Sequence, residues 1–268
     1  MDLLLPRTMT VHLRTRCKKR QFVGLCLRLG LCAGVLVCGP PSMRADHTCP
    51  SELNTGTQVM LVEVTDVSAH LATATLFDRP TPSDAWRQSA AMPAIIGRNG
   101  FGWSWHSHIA HTTPAPTKRE GDGRTPGGFF PLGHSFGFEA SSLPGYVRLR
   151  PGQEFCVSDA TSPYYNQVLS NKPATTVVGE DMGAIDLYRR GLFIDYPSSN
   201  AERGGSCIFV HVWRSASAGT SGCVALSQAN VEAVQRWVRP KQAFIAILPQ
   251  AEAQTVVSCL RTTRPEPK

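Results

Sequence analysis

Cys223 stands on a turn of small residues, Gly219-Thr-Ser-Gly-Cys-Val-Ala-Leu226, twelve residues after His211. A thiol and an imidazole are the minimum apparatus for nucleophilic acyl transfer, in which the thiolate attacks a carbonyl carbon while the ring accepts and later returns a proton. The absence of bulky neighbours lets a carbonyl approach. Gly222 leaves backbone N–H groups of the turn, its own and that of Cys223, to face an oxyanion, and Gly219, Thr220 and Ser221 form the wall a substrate would meet. A helix expected just downstream would lower the thiol pKa through the positive end of its dipole. Taken alone such a pair is common, because a lone cysteine is more often packing or half of a disulfide.

Two elements must hold these groups. Cys207–Val212 is an apolar, β-branched run that ends beside the histidine and predicts a strand. After the cysteine, Ser227 is a good N-cap, and Leu226 and Val231 occupy the N′ and N4 positions of a hydrophobic staple. Val231, Val234, Trp237 and Val238 recur at helical spacing, and Pro240 stops the helix. Upstream, the β-branched run 57–67 followed by Ala72–Phe77 predicts a hairpin, with further strands at Ala94–Ile96, Tyr146–Leu149, Leu192–Asp195 and Ala243–Leu248. The stretch 99–145, full of Gly, Pro, Thr and His, reads as a long loop with a functional purpose. The pattern predicts one mainly β (α+β) domain, sandwich-like, with a short helix after the turn that carries Cys223.

The chain has 268 residues and a formal charge of +7, which invites a nucleic-acid partner until the charge is located. Residues 1–45 hold eight bases against a single acid, Asp2; the 27 bases less these eight leave 19 for residues 46–268, against 19 acids. The body is neutral, and a nucleic-acid partner loses its support. Within 1–45 a cationic stretch to Arg20 precedes an apolar one from Phe22 to Val37, then Pro40, Pro41 and a small-residue exit at Ala45. That order predicts an export signal, leaving 46–268 as a domain of the periplasm or cell envelope with no stable membrane insertion.

Of nine cysteines, Cys17, Cys26, Cys32 and Cys38 leave with the signal, whereas Cys49, Cys156, Cys207, Cys223 and Cys259 remain. Five is odd, so an exported chain that pairs its thiols keeps one free, for which Cys223 is the candidate. A Cys49–Cys259 bridge would close the whole domain and Cys156–Cys207 could form the second. Four cysteines allow three pairings, and the sequence does not choose.

These motifs resemble the YkuD-like L,D-transpeptidase catalytic domain, whose core is a His followed by Ser/Thr-x-Gly-Cys with the Cys as acylated nucleophile. Thr220-Ser-Gly-Cys223 fits, as does His211 in Gly205-Ser-Cys-Ile-Phe-Val-His211. Lys118-Arg-Glu-Gly-Asp-Gly-Arg-Thr-Pro-Gly-Gly-Phe129 is similar to the family's Glu-Gly-Asp-x-x-Thr-Pro-x-Gly-x-Phe segment, and Cys156–Asn166 and Glu180-Asp-Met182 resemble further stretches of one branch. Ser221 and Ala225 stand where many members carry His and Arg or Asn. The resemblance implies an exported cysteine acyltransferase that works on peptidoglycan stem peptides through a Cys223 thioester, with no cofactor and no metal. An amine acceptor would give a cross-link, water a shortened peptide, and a member without chemistry would be a cell-wall binding module.

The remaining signals have plainer readings. His106, His108 and His111 lie close in sequence, yet no Asp, Glu or Cys completes a metal-ligand spacing, so a polar loop edge near the cleft is expected. Gly121-Asp-Gly123 lacks the Gly-Lys-Ser/Thr of a phosphate loop and reads as a turn in the cleft wall. Lys118, Arg119 and Arg124 beside Glu120 and Asp122 read as a solvated loop, and Arg189-Arg190 as surface.

Overall fold

The computed structural model describes residues 49–171 and 177–262, and the expected export signal lies outside them. A ten-stranded sheet dominates, with few helices, in line with the mainly β (α+β) domain the sequence predicts. The expected hairpin is β1 (Gln58–Val64) against β2 (Leu71–Asp78), which continues to β3 (Arg87–Ile95). Then come β4 (Phe101–Trp103), β5 (Thr125–Gly137) and β6 (Val147–Arg148). β7 (Phe155–Val157), β8 (Val168–Leu169) and β9 (Gly179–Asp181) form a separate three-stranded sheet. β10 (Arg190–Ile194), β11 (Phe209–Val212), β12 (Val224–Leu226) and β13 (Ala243–Pro249) return to the main sheet. The helices are α1 (Glu52–Thr55), α2 (Gln228–Trp237) and α3 (Gln250–Thr262), with two 3-10 turns at Met182–Ala184 and Asp186–Arg189.

The main path runs β10-β11-β12-β3-β2-β1-β13-β5-β4, and β5 also pairs with β10. Strand β5 therefore closes this path on itself, because its first half lies against β13 (Phe130 opposite Ile245) and its second half against β10 (Phe136 opposite Gly191). Val59, Val62, Ile245, Ile247, Leu192, Val210 and Val224 fill the core, all fully buried. Burying each such side chain contributes about 1.5–3 kcal/mol. The seam is held further by Gln235 of α2, whose buried amide nitrogen donates to the Phe136 and Gly191 carbonyls, 2.9 Å each.

β5 overturns the expectation of a loop across 99–145. Its glycines are there for close approach: a Cβ on Gly127 would lie 2.0 Å from the Phe101 ring, and one on Gly137 would meet the Arg189 carbonyl at 2.4 Å. Composition reads such a strand as a turn because glycine signals both. The expected strand at 207–212 begins only at Phe209, since Cys207 is held at φ +56°. Helix α2 has its expected start, with Ser227 Oγ accepting the Asn230 N–H at 3.2 Å, and it buries Val231, Val234 and Gln235. Its apolar face is thus narrower than the spacing predicts, with Trp237 half-buried. α3 was not foreseen; its Glu252 accepts the backbone N–H groups of Thr112 and Thr113.

The structure chooses among the three disulfide pairings: Cys49–Cys259 and Cys156–Cys207, with Cys223 free and buried. The first bridge spans a sequence separation of 210 and restrains the unfolded chain accordingly. Replacing Cys49 and Cys259 by Ser is expected to lower unfolding stability by about 2–5 kcal/mol, read from urea midpoints at constant slope. No helix among the described residues is long and apolar enough to cross a membrane.

Candidate active site

A cleft of about 620 Å³ opens where β11, the 219–223 turn and the 118–121 loop meet. Every residue the sequence nominates lines it: Gly219, Thr220, Ser221, Gly222, Cys223 and His211. β11 and β12 run parallel with Val210 opposite Val224 and His211 opposite Ala225, so Cys223, one residue before β12, falls beside Phe209. The Phe209 N–H donates to Cys223 Sγ at 3.4 Å, and the thiol donates to the Cys207 carbonyl at 3.2 Å. The cysteine carbonyl is fixed as well, accepting the hydroxyls of Thr220 (2.7 Å) and Thr125 (3.3 Å).

His211 Nδ1 lies 2.8 Å from the Val212 carbonyl. A carbonyl can only accept, so Nδ1 carries the proton and the neutral ring presents a bare Nε2, which is the form a general base needs. The sequence did not indicate this orienting group because it is a backbone atom. Burial pulls His211 down to about 4 and pushes the Cys223 thiol up to about 12, the latter reinforced by Glu180. The resting pair is therefore neutral, thiol and imidazole. This corrects the expectation of a thiol acidified by a helix: β12 separates Cys223 from α2, and the thiol sits among Phe136, Tyr188 and Phe209 in an apolar cluster. Of the two N–H groups proposed to face an oxyanion, that of Gly222 already donates to Thr220 Oγ1 at 3.1 Å. The Cys223 N–H has no acceptor among the described residues.

Lys118 is another correction. It is 2 % exposed, not solvated, and its ammonium donates to Asp122 Oδ1 (2.7 Å) and the Arg119 carbonyl at the cleft floor. The same segment supplies Glu120, which accepts from Tyr165 and from Ser206 Oγ (2.8 Å), and Asp122, whose carboxylate takes the Arg119 and Arg124 N–H groups. Lys118, Glu120, Asp122 and Thr125 of this segment thus brace the cleft or the cysteine turn, whereas Arg119 is exposed, as expected, with its guanidinium over the Trp105 ring. Asn166 does similar work opposite, donating to the Tyr196 carbonyl and accepting the Cys207 N–H at 3.0 Å. Arg98 reaches Ser221 Oγ at 3.1 Å, and Arg214, exposed, completes the cationic rim.

The sequence also gave no role to Tyr188 and Glu180. Tyr188 packs its ring on His211 at 5.3 Å, shares a buried cluster with Cys223, and donates its hydroxyl to Glu180 Oε2 at 2.6 Å. Only the Glu180-Asp-Met182 motif could have pointed to them. The three clustered histidines diverge: His106 pairs with Glu202, His108 with Glu52, and His111 stacks on Trp103, and none lines the cleft. No group of three or more potential metal ligands gathers among the described residues.

A mainly β domain here brings a free cysteine and a histidine with a bare Nε2 into one braced cleft. The chain belongs to the YkuD family, the L,D-transpeptidase catalytic domain, which matches residues 81–249. That family acts on peptidoglycan. No curated protein matches the sequence. Among solved structures, Bd1075 of Bdellovibrio bacteriovorus matches at 12% identity and TM-score 0.38, covering 77% of this chain and 55% of that one. The helical cell shape determining protein Pgp2 of Campylobacter jejuni matches at 16% identity and TM-score 0.37, covering 76% and 56%. L,D-transpeptidase 1 of Mycobacterium tuberculosis matches at 13% identity and TM-score 0.30, covering 72% and 62%. The chain spans little more than half the length of these proteins.

Proposed function

We propose that this protein is an exported cysteine acyltransferase of the cell envelope that forms a Cys223 thioester with peptidoglycan stem peptides. The observation that carries the reading is the unpaired Cys223 sharing a cleft with a histidine whose Nδ1–H is held by the Val212 carbonyl, leaving Nε2 bare. Because the resting pair is neutral, proton transfer accompanies attack: Cys223 S–H passes its proton to His211 Nε2 as the sulfur bonds the peptide carbonyl carbon. The Cys223 N–H holds the oxyanion. The carbon–nitrogen bond then breaks, and the leaving amine takes the proton back from His211. An amine acceptor resolves the thioester to a cross-link.

A second reading, hydrolysis, follows from Ala225, a fully buried residue opposite His211 in register that carries no charge where many members of the family have Arg or Asn. Water suffices as acceptor there. Incubating the protein, freed of residues 1–45, with tetrapeptide muropeptides and resolving products by mass distinguishes the two. Transpeptidation gives dimers and hydrolysis gives shortened stems. Absence of both products and of a Cys223 adduct would leave a cell-wall binding module.

A further inference from the structure

The mechanism above leaves one buried titratable group beside the nucleophile unused. Glu180, on β9, accepts the Tyr188 hydroxyl at 2.6 Å, and Tyr188 shares one buried cluster and one cleft wall with Cys223, whose own proton goes to the Cys207 carbonyl. A phenol has one proton, while Glu180 and a Cys223 thiolate are two acceptors for it. We propose that Glu180 is a positioning residue that acts through Tyr188 to hold Cys223 in its thiol form, and that thiolate formation requires the Tyr188 hydroxyl to turn from the carboxylate to the sulfur. This rests on the reading of Cys223 as the nucleophile.

The geometry makes the two acceptors exclusive. Tyr188 is 4 % exposed and wedged between Phe136, Phe209 and His211, so its ring has no other place to go and only the O–H rotor is free. While Glu180 is ionised it keeps the phenolic proton, and a thiolate would face both a lone pair on Tyr188 and a second negative charge. Once His211 Nε2 has taken the thiol proton, the Tyr188 O–H turns to the sulfur. The carboxylate then loses a donor that burial had made valuable. If Glu180 is protonated instead, it donates to Tyr188 Oη and Tyr188 donates to sulfur, an unbroken donor chain that favours the thiolate. Burial pushes Glu180 above the usual carboxylate range, and the Glu120 charge adds to this. The other groups facing the thiol are His211 on β11, the Phe209 N–H, and Lys118 from the opposite loop, the last two favouring the thiolate.

The test is the rate of Cys223 alkylation by iodoacetamide across pH, read by mass spectrometry of the Cys223 peptide. Iodoacetamide reports the sulfur without needing peptidoglycan, so this result and the acyl-transfer reading fail separately. Glu180→Gln mimics the protonated acid and is expected to alkylate about tenfold faster at pH 8, with its pH midpoint about one unit lower. Tyr188→Phe is expected to slow alkylation, and adding Glu180→Gln to it is expected to give much less acceleration than the same change gives with Tyr188 present, leaving only the direct effect of the charge. Glu180→Ala removes the carboxylate without supplying an amide, and tests the same direction should the Gln variant not fold. A Glu180 variant that folds and alkylates no faster than wild type overturns the proposal. So does an equal acceleration in the Tyr188→Phe background, which would mean that the charge acts on sulfur directly.

Discussion

Cys223→Ala abolishes covalent capture of a stem peptide or a carbapenem and lowers turnover roughly 10⁴- to 10⁶-fold, the scale of losing a nucleophile that works as a unit with its base. The side chain is 7 % exposed and shares one apolar cluster with Phe136 and Phe209, so removing one sulfur atom leaves the fold intact. Any remaining turnover comes from binding and the Cys223 N–H alone. Intact-protein mass spectrometry checks the result: wild type gains the acyl mass and the variant does not. An adduct that persists in Cys223→Ala would move the nucleophile elsewhere, although Cys223 is the free cysteine among the described residues.

His211→Gln is the second large effect. Its activity is expected to fall 10²- to 10⁴-fold, the usual contribution of a positioned general base. The same variant changes the acid limb of stability. Burial depresses His211 from 6.5 to about 4, so the unfolded chain takes up a proton that the folded chain refuses between those values. Stability from this group is complete above pH 6.5 and falls as pH drops toward 4, by about 3 kcal/mol in all at about 1.4 kcal/mol per unit. Urea midpoints at pH 7 and pH 4.5 measure it: wild type loses more between them than His211→Gln does. On the alkaline side the thiol behaves oppositely. Its folded pKa is raised from 9 to about 12, so stability is lost as pH rises above 9.

The β1–β2 hairpin, β10 and β13 were legible because their apolar runs are local and bounded by turn residues. The start of α2 was legible because its cap is a contact between residues three apart. β5 was not, since its glycines answer to Phe101 and Arg189, residues far away in the chain. Lys118 was misread for the same reason: a lysine among acids reads as solvated until Asp122 and the cleft floor close around it.

By itself the sequence nominated the groups proposed to react, Cys223 and His211, because the types and order of residues in a motif are written along the chain. It also determined that the net charge of +7 lies in residues 1–45 and leaves the body neutral. Only the tertiary structure decided the state in which those groups rest. The direction of a pKa shift depends on what surrounds a group in space, and here burial beside Tyr188 and Glu180 outweighs the helix that follows in sequence. The same holds for the imidazole, whose working nitrogen is chosen by a backbone carbonyl that every residue carries and that only the fold can aim.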